Sequence, residues 1–259
     1  VVERTIFVGD VHGCLDELRR LLYLCDWDPG RDRLVLLGDL VDRGPDPAGT
    51  VRFAMRELVP SGAVVLQGNH EEKLCRWRLR QDQARLDGRP NRMRPPSPSR
   101  RAEWESLSED EVSWLRSLPS VWRAPAGDPA EGWIAVHAGL RPGIRPELQD
   151  ADELCRNRFL RADGVPIPLT EDLSDPPDGV PWTSLWDGPE SVVYGHWVHS
   201  LESHRLSSPR EGVTCAGLDT GCCFGGLLTA MILRQPGDPP DFLSVVARRE
   251  YCQPGAGRS

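Results

Sequence analysis

The 259-residue sequence predicts a layered α/β fold. Two observations carry that expectation. The first third repeats one unit, in which a short apolar run leads into a loop rich in Gly and charge and then into helical periodicity. Each of those loops also places Asp, His or Asn just beyond an apolar run, and open α/β sheets bind ligands outside the carboxyl ends of their strands.

Ile6 to Val8 reads as the first strand, and after Gly9 to Gly13 the residues Leu15, Leu18, Leu21 and Leu22 fall on one helical face. Leu34 to Leu37 is the second strand, followed by a loop from Gly38 to Pro45 and a helix from Ala48 to Leu58. Ala63 to Leu66 begins a third unit, with a loop over Gly68 to Glu71 and a helix to about Arg80. The pattern then breaks over about 81–130. An arginine- and proline-rich stretch, Arg89 to Arg101, is read as a solvated loop rather than a steering patch, and a helix is expected from Trp104 to Leu118. Trp133 to Val136 resumes the core and ends at His137. A second irregular stretch, about 141–189, is rich in Pro, Asp and Gly. Beyond it Val192 to Tyr194, Val213 to Leu218, Leu227 to Leu233 and Phe242 to Val246 read as strands in hairpin-like succession, and Pro254 to Ser259 as a frayed tail. The expected organisation is a single domain over 1–259 with insertions at about 81–130 and 141–189.

The formal net charge of -8 argues against stable nucleic-acid binding and against an anionic membrane surface. No apolar run approaches the roughly 20 residues a membrane helix needs, and Val1 to Asp10 lacks the regions of a signal peptide, so a cytoplasmic protein is expected. The eight cysteines show no C-x-x-C spacing and read as reduced structural thiols, including the adjacent Cys222 and Cys223.

The chemistry lies in five short loops. In order they hold Asp10 and His12 in G-D-V-H-G, Asp39 with Asp42 and Arg43 in G-D-L-V-D-R-G, and Asn69 with His70 in G-N-H-E, then His137 in H-A-G and His196 in Y-G-H. Singly, each has a plain explanation as a helix cap or turn residue. Together they place four of the six histidines at strand ends, while His199 and His204 lie off the pattern and read as surface residues. Mixed oxygen and imidazole ligands suit Mn, Fe, Zn or a similar divalent ion. Asp10, His12, Asp39, Asn69, His137 and His196 are too many for one catalytic ion with open positions. Two ions about 3.5 to 4 Å apart that share a carboxylate would use them all, with Asp39 the candidate bridge.

These five motifs resemble the calcineurin-like metallophosphoesterase superfamily, in its phosphoprotein phosphatase branch, from Gly9 to about Met231. The resemblance implies an αββα fold, a β-sandwich of mixed sheets flanked by helices, here with helical or irregular cap insertions. It implies that Asp10, His12 and Asp39 hold one metal and Asp39, Asn69, His137 and His196 the other, with manganese expected and Fe, Zn, Ni or Co as alternatives. Arg43 is similar to the family arginine that grips phosphate through paired charge-assisted bonds. His70 resembles the general acid, oriented by Asp42. The implied reaction is hydrolysis of a phosphate ester or anhydride by a metal-bridging hydroxide.

Y-G-H-W at Tyr194 to Trp197 and L-D-T-G-C-C-F-G-G at Leu218 to Gly226 resemble bacterial symmetrical diadenosine tetraphosphatases and ApaH-like phosphatases. A phosphorylated nucleotide is therefore the expected substrate. A bacterial-type Ser/Thr protein phosphatase and a polynucleotide phosphatase remain as alternatives, with a non-catalytic binding module more remote. Trp182 and Trp186 precede the last metal loop and are read as packing anchors ahead of a base-stacking platform. Arg156, Arg158 and Arg161 read equally as phosphate contacts or solvent-facing residues, and Asp219 as a supporting carboxylate or an ordinary turn residue.

Overall fold

The computed structural model describes residues 2–167 and 176–253, so the expected tail and part of the second irregular stretch lie outside the described residues. Its elements in chain order are β1 (Arg4–Val8), α1 (Leu15–Leu24), β2 (Asp32–Leu36), α2 (Pro47–Phe53), β3 (Val64–Val65), α3 (Asn69–Asp87), α4 (Pro98–Ser106), α5 (Glu109–Ser117), β4 (Val121–Arg123) and β5 (Trp133–Val136). A small pair, β6 (Phe159–Leu160) and β7 (Val180–Pro181), precedes β8 (Ser191–Tyr194), β9 (Arg205–Arg210), β10 (Val213–Gly217), β11 (Leu227–Leu233) and β12 (Asp241–Val246).

The strands form two five-stranded mixed sheets, ordered β12-β11-β1-β2-β3 and β4-β5-β8-β10-β9. In the first, β1, β2 and β3 run parallel, with β11 antiparallel to β1. In the second, β5, β8 and β10 run parallel between antiparallel neighbours β4 and β9.

The alternation along each strand builds the layers. Phe7, Val35 and Leu37 from the first sheet meet Ala135, Val193 and Ala216 from the second in a core between the sheets. Ile6, Val8, Leu34 and Leu36 point the other way, onto Leu18 and Leu21 of α1, Val51 of α2 and Leu74 of α3. Ile134, Val136, Val192 and Tyr194 pack outward against Leu140, Leu154 and Trp182. Burying each large apolar side chain is worth about 2 kcal/mol, so a one-residue slip that reversed the faces would be strongly disfavoured.

Several boundaries differ from the expectation. Asn69 and His70 begin α3 rather than ending a loop, and that helix runs seven residues beyond Arg80, to Asp87, before Gly88 closes it in a left-handed conformation. The helix expected from Trp104 to Leu118 is two helices, each opened by a serine side chain, Ser97 before α4 and Ser108 before α5. The helix expected to end at Leu58 is regular only to Phe53, with a π-turn over Ala54–Leu58.

β4 joins the second sheet from within the stretch expected as an insertion. Asp128 from the same stretch is buried and accepts hydrogen bonds from Thr5 Oγ1 at 2.5 Å and Arg33 Nε at 2.6 Å, which ties it to β1 and β2. β9 was not expected, because its sequence R-L-S-S-P-R has no apolar alternation. It is an edge strand, where Pro209 need not donate to a partner. The hairpin-like succession is also corrected. β8 and β10 are parallel neighbours, and the chain changes sheets between β10 and β11, so only β9–β10 and β11–β12 are adjacent antiparallel pairs. No helix of the described residues is long and apolar enough to cross a membrane.

Candidate metal centre

Every parallel strand of the two sheets delivers a polar residue just past its carboxyl end. β1 leads to Asp10 and His12, β2 to Asp39, Asp42 and Arg43, and β3 to Asn69 and His70, while β5, β8 and β10 lead to His137, His196 and Asp219. Face-to-face packing brings the two sets together. His196 N donates to the Asp10 carboxylate at 3.0 Å, and His137 Nε2 lies 3.1 Å from Asn69 Oδ1. Among the described residues six non-glycine residues have positive φ, and five of them belong to this cluster: His12 (43°), Asp39 (50°), Asp42 (67°), Arg43 (73°) and His196 (63°). Side chains with a Cβ are strained there, and such strain persists only where surrounding structure enforces it.

Asp39 is the hub. Its Oδ2 lies 3.4 Å from His12 Nε2 and 3.9 Å from His70 Nε2, while its Oδ1 lies 3.5 Å from His137 Nε2. The two oxygens thus face different sets of donors. One donor group is His12, Asp39 and His70, the other Asp39, His137 and His196, each with ligand atoms within 4.8 Å of one another. Asn69 Oδ1 joins the second group, 2.9 Å from His196 Nδ1.

The imidazoles are oriented from behind. His12 Nδ1 donates to Val41 O at 2.9 Å and His137 Nδ1 to Leu37 O at 2.8 Å, which leaves Nε2 of each to face the centre. Glycines make the approach possible. A Cβ on Gly68 would fall 2.1 Å from Asp39 Oδ1, and one on Gly195 would fall 2.0 Å from Asp10 Oδ1.

The electrostatics follow from burial and proximity. Burial pushes Asp39 up, but His137, His70 and His12 outweigh it and hold the carboxylate well below its ordinary range. Asp10 is pushed well above that range by burial and by Asp219. Burial, with Arg43 in one case and Arg158 in the other, holds His12 and His196 well below the usual imidazole value and therefore neutral, the form that ligates metal. Burial pulls His137 down, yet Asp39 and Asp10 carry it up to about 10. His196 Nε2 is buried with no hydrogen-bond partner. Convergent carboxylate, amide and imidazole acceptors with too few donors between them are what divalent cations complete, so these residues fit two metal ions.

His70 and Arg43 sit at the edge of this cluster. His70 Nδ1 makes a short bond to Asp42 Oδ2, which turns Nε2 toward Asp39. Asp42 is fully buried, and its other oxygen accepts from Trp104 Nε1 at 2.8 Å and pairs with Arg100 at 3.2 Å, while its N–H donates to Glu103 at 2.9 Å. Arg100, Glu103 and Trp104 lie on or inside α4, in the stretch expected to be a cap, and Arg100 comes from the run expected to be a solvated loop. Burial pulls His70 below its ordinary value, with Asp39 and Asp42 working against that pull. Arg43 Nη1 lies 2.5 Å from His12 Nε2, and its guanidinium stands 5.2 Å from the Phe224 ring centre.

One further residue was missed. Glu71, the last letter of G-N-H-E, is fully buried and its two oxygens accept from Asp39 N at 2.8 Å, Gly68 N at 2.9 Å, Leu40 N at 2.8 Å and Val41 N at 3.1 Å. It clamps the loop after β2 to the loop after β3, and burial together with Asp39 raises it to about 7. Its place three residues after the N-cap Gly68, from which an acidic side chain can reach back to the N-cap N–H, was the available signal. Arg158, read from the sequence as a phosphate contact or a solvent-facing residue, instead braces the last metal loop, donating to His196 O at 3.0 Å.

Of the remaining candidates, Asp219 is buried beside the cluster and accepts from Gly221 N. Arg156 pairs with Glu72 and Asp152, and Arg161 lies at the exposed surface beside Asp163. Trp182 and Trp186 are buried, in keeping with packing. His199 and His204 are half-buried rather than surface residues. His199 bonds the Tyr194 hydroxyl five residues before it, and His204 stacks on Phe242 of β12 at 3.6 Å, a contact made across the fold rather than by local sequence.

The chain matches the family model described as calcineurin-like phosphoesterase over residues 3–214. It is 32% identical to the symmetrical bis(5'-nucleosyl)-tetraphosphatase of Yersinia enterocolitica, over 88% of this chain and 87% of that protein. It is 31% identical to the enzyme of the same name from Edwardsiella ictaluri, over 88% and 91%. A crystal structure provisionally assigned as a diadenosine tetraphosphatase superposes with a TM-score of 0.71 at 31% identity, covering 95% of each chain. A metallophosphoesterase from Sphaerobacter thermophilus shares the fold at a TM-score of 0.53 and 16% identity, over 95% of this chain and 89% of that one.

Proposed function

The chain belongs to the calcineurin-like phosphoesterase family, and from that premise we propose that it is a two-metal hydrolase that cleaves dinucleoside polyphosphates symmetrically. The observation that carries the two-metal assignment is the Asp39 carboxylate, whose two oxygens face separate donor groups. The substrate assignment is supported by relatives of that named activity, matched over most of both chains at 31 to 32% identity.

Asp10, His12 and Asp39 would hold one ion and Asp39, Asn69, His137 and His196 the other, with manganese the expected metal. When bound, such ions supply Lewis-acid stabilisation of phosphoryl oxygens and ease the ionisation of water near neutral pH. Arg43, at the rim and oriented against Phe224, is placed to grip a phosphoryl oxygen by charge-assisted hydrogen bonds. His70 presents Nε2 to the centre while Nδ1 is committed to Asp42, so a proton delivered to the leaving oxygen would come from Nε2. Asp42 then stabilises the charged imidazole. Its own position is enforced by α4, a cost already met in folding and not repeated at each turnover.

Product analysis with diadenosine tetraphosphate and manganese tests the substrate assignment. ADP as the sole nucleotide product is expected. AMP with ATP, or no cleavage together with rapid phosphate release from a phosphothreonine peptide or a 3'-phosphorylated oligonucleotide, would overturn it.

A further inference from the structure

Behind the metal centre a second group of ligand-type side chains converges. Cys14 opens α1, Glu17 lies in its first turn, and Cys222 comes from the loop between β10 and β11. All three are buried, at 0%, 0% and 1% exposure, and one ligand atom from each lies within 4.8 Å of the others. The two sulfurs are close neighbours.

The carboxylate gives the group its meaning. Glu17 Oε1 is satisfied by Arg248 N at 3.0 Å and the Tyr251 hydroxyl at 2.7 Å. Oε2 is buried with no hydrogen-bond partner. A carboxylate oxygen removed from water without a donor costs several kcal/mol, and such groups are retained when something charged completes them. A disulfide between Cys14 and Cys222 would leave Oε2 as it is. A cation bound by both sulfurs and the Glu17 carboxylate would complete all three side chains, and thiolate with carboxylate selects a zinc-like ion over magnesium or calcium.

We propose that Cys14, Glu17 and Cys222 form a structural site for a zinc-class divalent ion, separate from the catalytic pair. The His12 carbonyl, 3.7 Å from Cys14 Sγ, is available as a fourth donor. On binding, each thiol releases its proton to solvent as its sulfur–metal bond forms, so no oxidant is required. The ion would pin α1, which follows the Asp10–His12 loop, to the loop that carries Asp219. This assignment is independent of which phosphoester is hydrolysed.

Cobalt(II) is the probe, because the catalytic donors are all oxygen and nitrogen, and only a thiolate site gives intense near-ultraviolet sulfur-to-cobalt charge transfer. The full chain loaded with cobalt should show that band, and Cys222→Ser should lose it with one equivalent of metal while keeping the visible bands of the oxygen and nitrogen sites. Glu17→Gln, which keeps both thiols, should weaken cobalt retention at the band at least 10-fold on dialysis. Should either variant fail to fold, X-ray absorption at the zinc edge of the zinc-loaded wild-type chain makes the same test, because only this site supplies sulfur scatterers at about 2.3 Å. Absence of the band, its survival in both Cys14→Ser and Cys222→Ser, or absence of sulfur scatterers would overturn the site.

Discussion

Trp104 Nε1 donates a 2.8 Å hydrogen bond to Asp42 Oδ1, so α4 holds the carboxylate that orients His70. The pair is 62 residues apart in sequence, and it makes the Asp42–His70 unit depend on a helix far along the chain from both residues. Trp104→Phe keeps an aromatic ring in the buried site and removes the donor. A lost charge-assisted bond of about 1.4 kcal/mol predicts roughly 10-fold slower turnover of diadenosine tetraphosphate. The loss should be much smaller with p-nitrophenyl phosphate, whose leaving group needs little protonation. Equal losses on the two substrates would mean that Trp104 matters for packing alone.

His70→Ala extends the same logic to the proton donor itself. General-acid assistance is worth about 10²- to 10⁴-fold, so turnover of the nucleotide should fall within that range while metal content, measured on the desalted protein, stays at the wild-type level. Loss of metal alongside activity would reassign His70 as a ligand, a role that its distance of 3.9 Å from Asp39 Oδ2 makes worth testing.

Asp39→Asn tests the bridge. The amide keeps the shape but removes the charge that two cations would share, so both metal occupancy and turnover should be nearly abolished. A variant that retains both metals and normal activity would refute the assignment of Asp39.

Glu71 accepts four backbone N–H groups with two oxygens, and Glu71→Gln turns one acceptor into a donor facing donors. Unsatisfied buried donors predict a loss of about 2 to 3 kcal/mol in urea unfolding, with weaker manganese retention as the two loops separate. A wild-type unfolding midpoint would show that the clamp is not needed.

Away from the centre, Arg4 and Asp32 tie the start of β1 to the start of β2, with Arg4 Nε 2.9 Å from Asp32 Oδ1. Burial pushes Asp32 up, but the bonds from Arg4 and the Asp28 N–H hold it below its ordinary value. A depressed folded value means the stabilisation is complete above about pH 4, the unfolded carboxylate's range, and is lost as pH falls through the folded value. Asp32→Asn should therefore cost about 2 kcal/mol at neutral pH, and the gap to wild type should close in acid. A gap that persists unchanged at low pH would remove the ion pair as its cause.

The sequence by itself determined the layered class and the set of residues at the strand ends, because both are local. Apolar runs mark the strands, and glycine, aspartate and histidine mark the turns beyond them. It did not show β9, whose polar sequence is a strand only because β10 lies beside it, nor β4, three residues whose partner β5 completes them. It also placed Arg100 in solvent and Trp104 in a cap, whereas both close on Asp42. Which loops meet, and which side chains stand behind them, was decided by burial between two sheets joined through a long-range crossover. That information resides in the packing of faces, where each residue's partner lies far along the chain and no local period records it.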